Sequence, residues 1–204
     1  ADVLTGNELH NILRGGRGND LIDGSGGIDL AIYAQNFSEV HLIRTNDSWN
    51  VTSHQESVSF IEKYFNPNGI NVTDTLSNIE RLKFTDKYIA LDLDGNAGKT
   101  VKLLAALLGK DAITNKAYIG AGLNLLDNGM SYEELMNAGL DIVFGSNPIG
   151  ASVVDVLYKN LVGSSAPQSV IDEYGGMLDN GSMTATELGI AVADHSLNAT
   201  NIDL

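Results

Sequence analysis

Gly15-Gly-Arg-Gly-Asn-Asp20-Leu-Ile-Asp23 is the stretch of sequence that decides the fold of the first half of the chain. It fits the nonapeptide pattern Gly-Gly-x-Gly-x-Asp-x-apolar-x at every defined position. Units of the same length begin at Gly6 and Gly24, so a period of nine runs through the first forty residues or so. In such a unit six residues form a turn and three form a short strand with one inward apolar side chain. The period therefore predicts a stack of short parallel strands.

Two columns of side chains follow this period. The apolar column contains Leu4, Leu13, Ile22, Ala31 and Val40. The aspartate column contains Asp2, Asn11, Asp20 and Asp29. A glycine-rich linker has no reason to keep five apolar residues in register, so a folded repeat is favoured. If two nonapeptides complete one coil, turns 18 residues apart stack at the same edge, which pairs Asp2 with Asp20 and Asn11 with Asp29.

The turns predict calcium binding. Glycine permits positive φ, which lets carbonyl oxygens converge, and calcium takes six to eight oxygen ligands at about 2.3–2.6 Å. The expected ligands are side chains of the aspartate column and carbonyl groups of the turns: Asp2, Asn11, Gly15, Arg17, Gly18, Asp20, Gly27 and Asp29. Asp23 is an additional candidate. Because Asn11 replaces an aspartate, the Asn11/Asp29 site is expected to be the weaker one or to be completed by other groups.

The nonapeptides resemble those of the RTX (repeats-in-toxin) family over residues 1 to about 40. The resemblance implies a parallel β-roll that binds calcium between its turns. It also implies type I secretion from a bacterium and an extracellular or cell-surface location. Calcium is scarce inside bacteria and plentiful outside, so such a roll is expected to fold only after export.

The middle segment predicts antiparallel strands and a cap. Residues 40–44 and 49–52 flank Asn46-Asp47, which is a hairpin signal. The run from Asp74 to Asp86, followed by residues 88–93, resembles the segment that closes RTX rolls. We expect it to cover the open end of the roll and to carry no chemistry of its own.

A second candidate metal loop follows at Asp92, Asp94 and Asn96, which match the opening of an EF-hand. Ala97 and Leu103 stand where that loop needs a glycine and an acidic residue. The alternative is that Asn96 caps the helix that follows, by accepting backbone N–H bonds.

From residue 97 onward apolar residues recur every three or four positions, which predicts helices. Leu126-Asp-Asn-Gly129 recurs as Leu178-Asp-Asn-Gly181, and two capping boxes recur at a similar distance. The boxes are Ser131…Glu134 and Thr184…Glu187. The duplication predicts two three-helix repeats, over residues 97–149 and 150–204. Their expected helices are 97–108, 112–127, 131–144, 150–162, 166–180 and 184–195.

The helical half resembles the domain of unknown function that often follows RTX repeats in secreted bacterial proteins. Leu157-Tyr-Lys-Asn-Leu-Val-Gly163 and the Leu178 motif carry this resemblance. It implies association with cell surfaces or extracellular matrices. It supplies no catalytic residues.

Composition limits the classes of function. A formal net charge of −14 argues against nucleic acid or an anionic membrane as partner, and the chain has no cysteine for disulfides or thiolate sites. No apolar run is long enough to span a membrane. The four histidines, His10, His41, His54 and His195, lack the spacing of a metal or catalytic motif. We therefore expect no enzymatic activity.

Three functions stay open at this point. The first is a calcium-binding module that supports secretion and surface association. The second is an S-layer or adhesin module that binds a surface glycan or its own copies, marked by an exposed patch among Tyr118, Tyr132, Tyr158 and Tyr174. The third is the non-catalytic tail of a secreted hydrolase. The expected fold is α+β, with a short parallel β-roll and β-hairpin cap over residues 1–95 and an all-α bundle of two three-helix repeats over residues 96–204.

Overall fold

The structure is a computed structural model that describes residues 1–57 and 59–202. The chain divides into two compact units, Ala1–Asp92 and Leu93–Leu204. The first unit consists mainly of strands and the second of helices, so the protein is of mixed α and β class. The division lies three residues before the boundary expected at 95/96. The last two residues of the expected second repeat, 203 and 204, lie outside the described part of the chain.

The first unit is called the strand unit below. Its described residues form two sheets, a short α-helix, α1 (Phe60–Phe65), and a 3-10 turn at Phe37–Glu39. Its strands are β1 (Val3–Asn7), β2 (Ile12–Leu13), β3 (Leu21–Ser25), β4 (Leu30–Ile32), β5 (Val40–Thr45), β6 (Ser48–Gln55), β7 (Ile70–Ser77), β8 (Arg81–Lys83) and β9 (Tyr88–Ala90). One sheet has the order β1-β3-β7-β6-β5, and the other has the order β2-β4-β8-β9.

The first four strands alternate between the two sheets. β1 runs parallel to β3 with Val3 opposite Leu21, and β2 runs parallel to β4 with Ile12 opposite Leu30. Both pairs are shifted by 18 residues, which is the spacing that two nonapeptides per coil predict. Turns 6–11 and 24–29 therefore stack at one edge of the unit.

The apolar column forms the core between the sheets. Ile22 and Ala31 are fully buried, and Leu4, Leu13 and Val40 belong to the same cluster. Later strands complete this core with Val51, Leu76, Leu82 and Phe84. Because consecutive strands lie in opposite sheets, one inward residue in every nine is enough to fill the space between them.

The expected hairpin is present, since β5 and β6 pair antiparallel around a turn in which Asn46 has φ of 46°. The chain then returns to the stack. β7 runs parallel to β3 with Leu76 opposite Ile22, and β8 runs parallel to β4 with Leu82 opposite Ala31. The segment from β7 to β8, called the closing segment below, thus takes the place of one further coil.

The second unit, called the helical unit below, differs from the expected helices at three places. Its helices are α2 (Asn96–Leu108), α3 (Lys116–Asp127), α4 (Tyr132–Phe144), α5 (Gly150–Val162), α6 (Gln168–Val170), α7 (Gly176–Asp179), α8 (Ala185–Ala193) and α9 (Ser196–Asn201). The expected helix 112–127 breaks at Asn115, whose side chain accepts the backbone N–H of Ala117 at 3.0 Å. The expected helix 166–180 contains a π-helical stretch, Ile171–Gly175, and α9 was not expected.

Local hydrogen bonds set the ends of these helices. Both expected capping boxes are present: Ser131 and Glu134 exchange bonds at the start of α4, and Thr184 and Glu187 do so at the start of α8. The cap expected at Asn96 is wrong, because Gly95 occupies the N-cap position.

Two aspartates occupy equivalent positions in the duplicated sequence. The Asn96 side-chain amide donates to Asp127 Oδ1 at 2.9 Å. The backbone N–H of Gly150 donates to Asp179 Oδ1 at 3.0 Å. Each aspartate of the recurring Asp-Asn-Gly turns therefore anchors the first residue of a long helix, α2 or α5. Within residues 1–57 and 59–202, no helix has the length and apolar character needed to cross a membrane.

Candidate metal centre

The aspartate column forms hydrogen bonds between neighbouring coils at both edges of the strand unit. The backbone N–H of Asp2 donates to Asp20 Oδ1 at 2.7 Å. At the opposite edge the backbone N–H of Asn11 donates to Asp29 Oδ1 at 2.7 Å. The pairing of residues 2 with 20 and 11 with 29 follows the strand register directly, because each lies just before a paired strand. One carboxylate oxygen of each aspartate is thus used within the fold.

The closing segment continues both columns. The backbone N–H of Asp20 donates to Asp74 Oδ1 at 3.0 Å. The backbone N–H of Asp29 donates to Glu80 Oε2 at 2.8 Å. Asp74 is buried and lies directly below Asp20 in the stack, and Glu80 lies below Asp29. The closing segment therefore brings two further carboxylates to the edges of the strand unit.

Sequence reasoning missed Asp74 and Glu80 as members of these columns. A local signal was present: the order acid, any residue, apolar residue in Asp20-Leu-Ile22 recurs in Asp74-Thr-Leu76 and Glu80-Arg-Leu82. The intervening hairpin interrupts the nine-residue period, so the recurrence is visible only as isolated triplets. The structure restores the register that the insertion hides.

The second carboxylate oxygens of Asp20 and Asp29 are the unusual feature of these edges. Both Oδ2 atoms are buried and have no hydrogen-bond partner among the described residues. Asp20 is 3% exposed and Asp29 is 0% exposed. A buried acceptor left without a donor costs about 1–3 kcal/mol, and more when it is charged. A bound cation would remove that cost.

Glycines leave space for oxygen atoms to converge beside the two free oxygens. A Cβ atom added at Gly24 would overlap both Asp29 Oδ2 and the carbonyl oxygen of Asn78. One added at Gly15 would overlap the Asp20 carboxylate. Only glycine fits these positions, and carboxylate and carbonyl oxygens are what a hard divalent cation prefers. The donor set therefore fits calcium.

Several expected ligands have other roles in the structure. The Arg17 guanidinium donates to the carbonyl oxygen of Glu56 at 2.8 Å, so Arg17 could offer an ion only its own carbonyl group. Gly18 and Gly27 adopt φ of 107° and 109°, which the turns require and side chains rarely allow. The structure therefore places both glycines as turn residues.

The remaining candidate side chains, Asp2, Asn11 and Asp23, are less suitable ligands than Asp20 and Asp29. The side chain of Asp2 is exposed, and its backbone makes the contacts with the next coil. Asn11 Oδ1 already accepts the backbone N–H of Asn7 at 2.7 Å. Asp23 Oδ1 accepts the Ser25 backbone N–H and the Asn78 side-chain amide, at 3.0 and 2.8 Å. The structure therefore concentrates free coordinating capacity on Asp20 and Asp29.

The EF-hand-like residues each contact a partner in their own unit or lie in a turn. Asp92 forms an ion pair with Arg81, Asp94 lies in the turn 93–95, and Asn96 donates to Asp127. In the part of the chain that the structure describes, no three His, Cys, Asp or Glu side chains gather as a metal-binding group. An ion at the strand turns would accordingly depend on carbonyl oxygens together with one or two carboxylates.

Burial governs the electrostatics of the carboxylates at the two edges. Burial raises the pKa of Asp29, and the hydrogen bond from the Asn11 backbone only partly offsets this. Burial likewise raises the pKa of Asp74 and of Glu80, and the neighbouring carboxylates of Asp20 and Asp29 raise them further. Negative charge at these positions is therefore unfavourable until a cation is bound.

These raised pKa values predict how stability depends on pH without calcium. The ordinary values are 3.8 for aspartate and 4.5 for glutamate. A raised pKa contributes stability that is present below the ordinary value and is lost as pH rises through the folded-state value. We expect the calcium-free strand unit to unfold more readily in denaturant at pH 7 than near pH 4, followed by fluorescence of Trp49, the only tryptophan. Calcium should reverse this trend, and higher calcium-free stability at pH 7 would contradict it.

The helical unit has an apolar groove of about 270 Å³ between α2, α3 and α4. Tyr118 and Ile142 line it and are 50% and 85% exposed. Tyr132 and Tyr174 instead pack against the core of the helical unit, and Tyr158 is half-buried. Of the four tyrosines considered for surface attachment, Tyr118 is thus the most exposed. Attachment through this unit stays a prediction.

Comparison with protein-family models, with curated proteins and with solved structures gives no match for the chain.

Proposed function

We propose that the strand unit is a calcium-binding module that folds as a short parallel β-roll of the RTX type when calcium is bound. In this proposal β5 and β6 are the hairpin cap of the roll. One ion lies at each edge, bound by the free carboxylate oxygen of Asp20 or Asp29 and by carbonyl oxygens of the adjacent turns. Binding free energy then becomes folding free energy.

The observation that carries the proposal is the pair of buried Oδ2 atoms that lack a partner among the described residues. They lie at the same position of the nonapeptide, one at each edge, and each lies beside a glycine that has no room for a side chain. A purely structural aspartate would use both of its oxygens when buried. The same aspartate oxygen lacks a partner in two successive nonapeptides. This repetition supports a ligand that binds at both edges.

Calcium fits this environment better than other common metals. The nearby groups are oxygens, and the chain has no cysteine for a zinc thiolate site. Magnesium requires near-ideal octahedral geometry and retains several waters, whereas calcium tolerates irregular sets of carbonyl ligands. The net charge of −14 also favours a cation as partner.

The cellular role follows from the calcium requirement. We propose that the module belongs to a secreted bacterial protein, stays unfolded at low intracellular calcium and folds outside the cell. The helical unit would be two three-helix repeats that support association with the cell surface. The matching anchors of α2 on Asp127 and of α5 on Asp179 support this duplication. The proposal includes no catalytic role.

The substitution Asp20→Asn tests the proposal. The amide keeps an acceptor for the Asp2 backbone N–H but loses the negative charge, so the fold has the same hydrogen bond and a poorer ligand. We expect calcium affinity at one of two sites to fall at least about tenfold in calorimetric titration, equivalent to about 1.4 kcal/mol. Asp47→Asn, in the exposed hairpin turn, is the matched control and should bind calcium as the native chain does. Equal affinity in both variants would refute the assignment of Asp20.

A further inference from the structure

The Asp29 edge differs from the arrangement that the nonapeptides alone predict. The expected partner of Asp29 is Asn11, but the amide oxygen of Asn11 already accepts the Asn7 backbone N–H. On the other side of Asp29 lie the carbonyl oxygen of Asn78, directed at Gly24, and the carboxylate of Glu80. The groups suited to coordinate a cation are therefore on the side of the closing segment.

We propose that the closing segment supplies ligands to the ion at Asp29: calcium would be bound there by Asp29 Oδ2, the Asn78 carbonyl oxygen and the Glu80 carboxylate. This inference rests on the proposed function, because it assigns the remaining ligands of one of its two ions. It changes the role of residues 78–80 from a passive cover to a part of the metal centre. It also replaces the weak Asn11/Asp29 pair with a site that carries two negative charges.

The backbone at this point is shaped for a close approach of oxygens. Asn78 adopts a positive φ of 50°, and Ser25, in the turn above it, has φ of 71°. These conformations are uncommon for residues other than glycine. The Asn78 side chain is held by Asp23 Oδ1, which fixes the turn while its carbonyl oxygen is directed at Gly24. Strained turns that are held in place by other contacts are typical of ligand sites.

Charge at this edge is consistent with a divalent cation. Asp29 is fully buried, and Glu80 accepts its backbone N–H, so the two carboxyl groups lie close together. Arg81, the next residue, forms an ion pair with Asp92 and donates to the Glu80 carbonyl oxygen at 2.7 Å. Calcium would balance both carboxylate charges at the edge itself.

The inferred ion would join parts of the chain that are distant in sequence. Asp29 and Glu80 are separated by 51 residues, which include the β5–β6 hairpin, α1 and β7. A ligand that links such positions reduces the freedom of the whole intervening segment. Calcium binding at Asp29 would therefore order the closing segment together with the nonapeptides. Trp49 reports this event, because it lies opposite Leu76 in the β6–β7 pair.

Calorimetric titration of calcium into the full chain carrying Glu80→Gln tests the inference, with Trp49 fluorescence recorded in parallel. Glutamine can still accept the Asp29 backbone N–H, so the fold is expected to survive. We expect the calcium affinity of one of the two sites to fall at least tenfold and that of the other site to be unchanged. The part of the Trp49 fluorescence change that accompanies binding at the Asp29 site should shift to the same higher calcium concentration. Two equivalents with affinities within twofold of the native chain would overturn the inference.

Two further variants complete the experiment. Glu39→Gln is the matched control, because Glu39 also accepts a backbone N–H, from Asn36 at 2.8 Å, but at an exposed position. It should bind calcium as the native chain does. Asp29→Asn should weaken the same equivalent as Glu80→Gln, and weakening of the other equivalent would contradict a shared ion. A native chain that binds no calcium would refute the proposed function itself, whereas a native chain with two ions and an unaffected Glu80→Gln variant would refute only the inference.

Discussion

Withdrawal of calcium is expected to lower the melting temperature of the strand unit by about 30 °C or more, or to abolish its cooperative transition. An ion present at about 1,000 times its Kd stabilises the folded state by about 4 kcal/mol, so two ions contribute about 8 kcal/mol. Typical domains have a free energy of unfolding of only about 5–15 kcal/mol. In addition, the proposed ions would satisfy the buried Oδ2 atoms of Asp20 and Asp29, which have no hydrogen-bond partner among the described residues. Far-ultraviolet circular dichroism and Trp49 fluorescence, recorded in calcium and in chelator, measure the effect.

The helical unit is the internal control for this experiment. Its core is a cluster of buried apolar side chains, among them Met136, Val153 and Leu157, which pack on one another. Its helical signal should therefore melt at the same temperature in calcium and in chelator. Magnesium should not replace calcium in restoring the Trp49 signal. Loss of helical signal in chelator, with an unchanged Trp49 transition, would show that calcium stabilises the helical unit and not the strand unit. That result would contradict the account.

The substitution Gly24→Ala is expected to be the most damaging single change at the candidate centre. Its Cβ atom would overlap Asp29 Oδ2 and the carbonyl oxygen of Asn78 at once, and neither a backbone carbonyl nor a buried carboxylate can move freely. Forcing an extra methyl group into such a site costs about 3 kcal/mol. It would also separate the oxygens that we assign to the ion. We expect the variant to lose about 3 kcal/mol of unfolding free energy in calcium, measured by urea titration, and to lose high-affinity binding at one site.

Gly120→Ala is the control for the cost of adding a methyl group. Gly120 lies within α3, and a Cβ atom there meets no described atom within 4 Å. Alanine is favoured over glycine inside a helix by about 1 kcal/mol. This control should therefore be slightly more stable than the native chain, with calcium binding unchanged. Equal stability of the Gly24→Ala variant and the native chain would contradict the close packing of Gly24 against Asp29 and Asn78.

Much of the strand unit follows from a short sequence period. The inward positions of Ile22 and Ala31, the 18-residue register and the placement of Asp20 beside Asp2 are all consequences of nine residues forming one turn and one strand. A strict period predicts structure well because each unit repeats the same local geometry. The β5–β6 hairpin was also readable, since the Asn46-Asp47 turn lies between two alternating runs.

The features that sequence reasoning missed depend on contacts between distant residues. Asp74 and Glu80 join the columns only because an inserted hairpin returns the chain to the stack, 54 and 51 residues after Asp20 and Asp29. The sequence predicts either a local cap or an EF-hand-like loop at Asn96, whereas its side-chain amide donates to Asp127, 31 residues away. The π-helical stretch at Ile171–Gly175 was likewise not indicated by the apolar periodicity, and we have no physical account of it. Local patterns do not specify such partners.

The most direct measurement of the central claim is the number of calcium ions that the full chain retains. Calcium-free protein would be dialysed to equilibrium against micromolar calcium with excess magnesium, and bound metal would be determined by elemental analysis. The account predicts two calcium ions per chain, one for Asp20 and one for Asp29, together with strand content that appears as they bind. Retention of no stoichiometric calcium, with the strand content already complete, would contradict it.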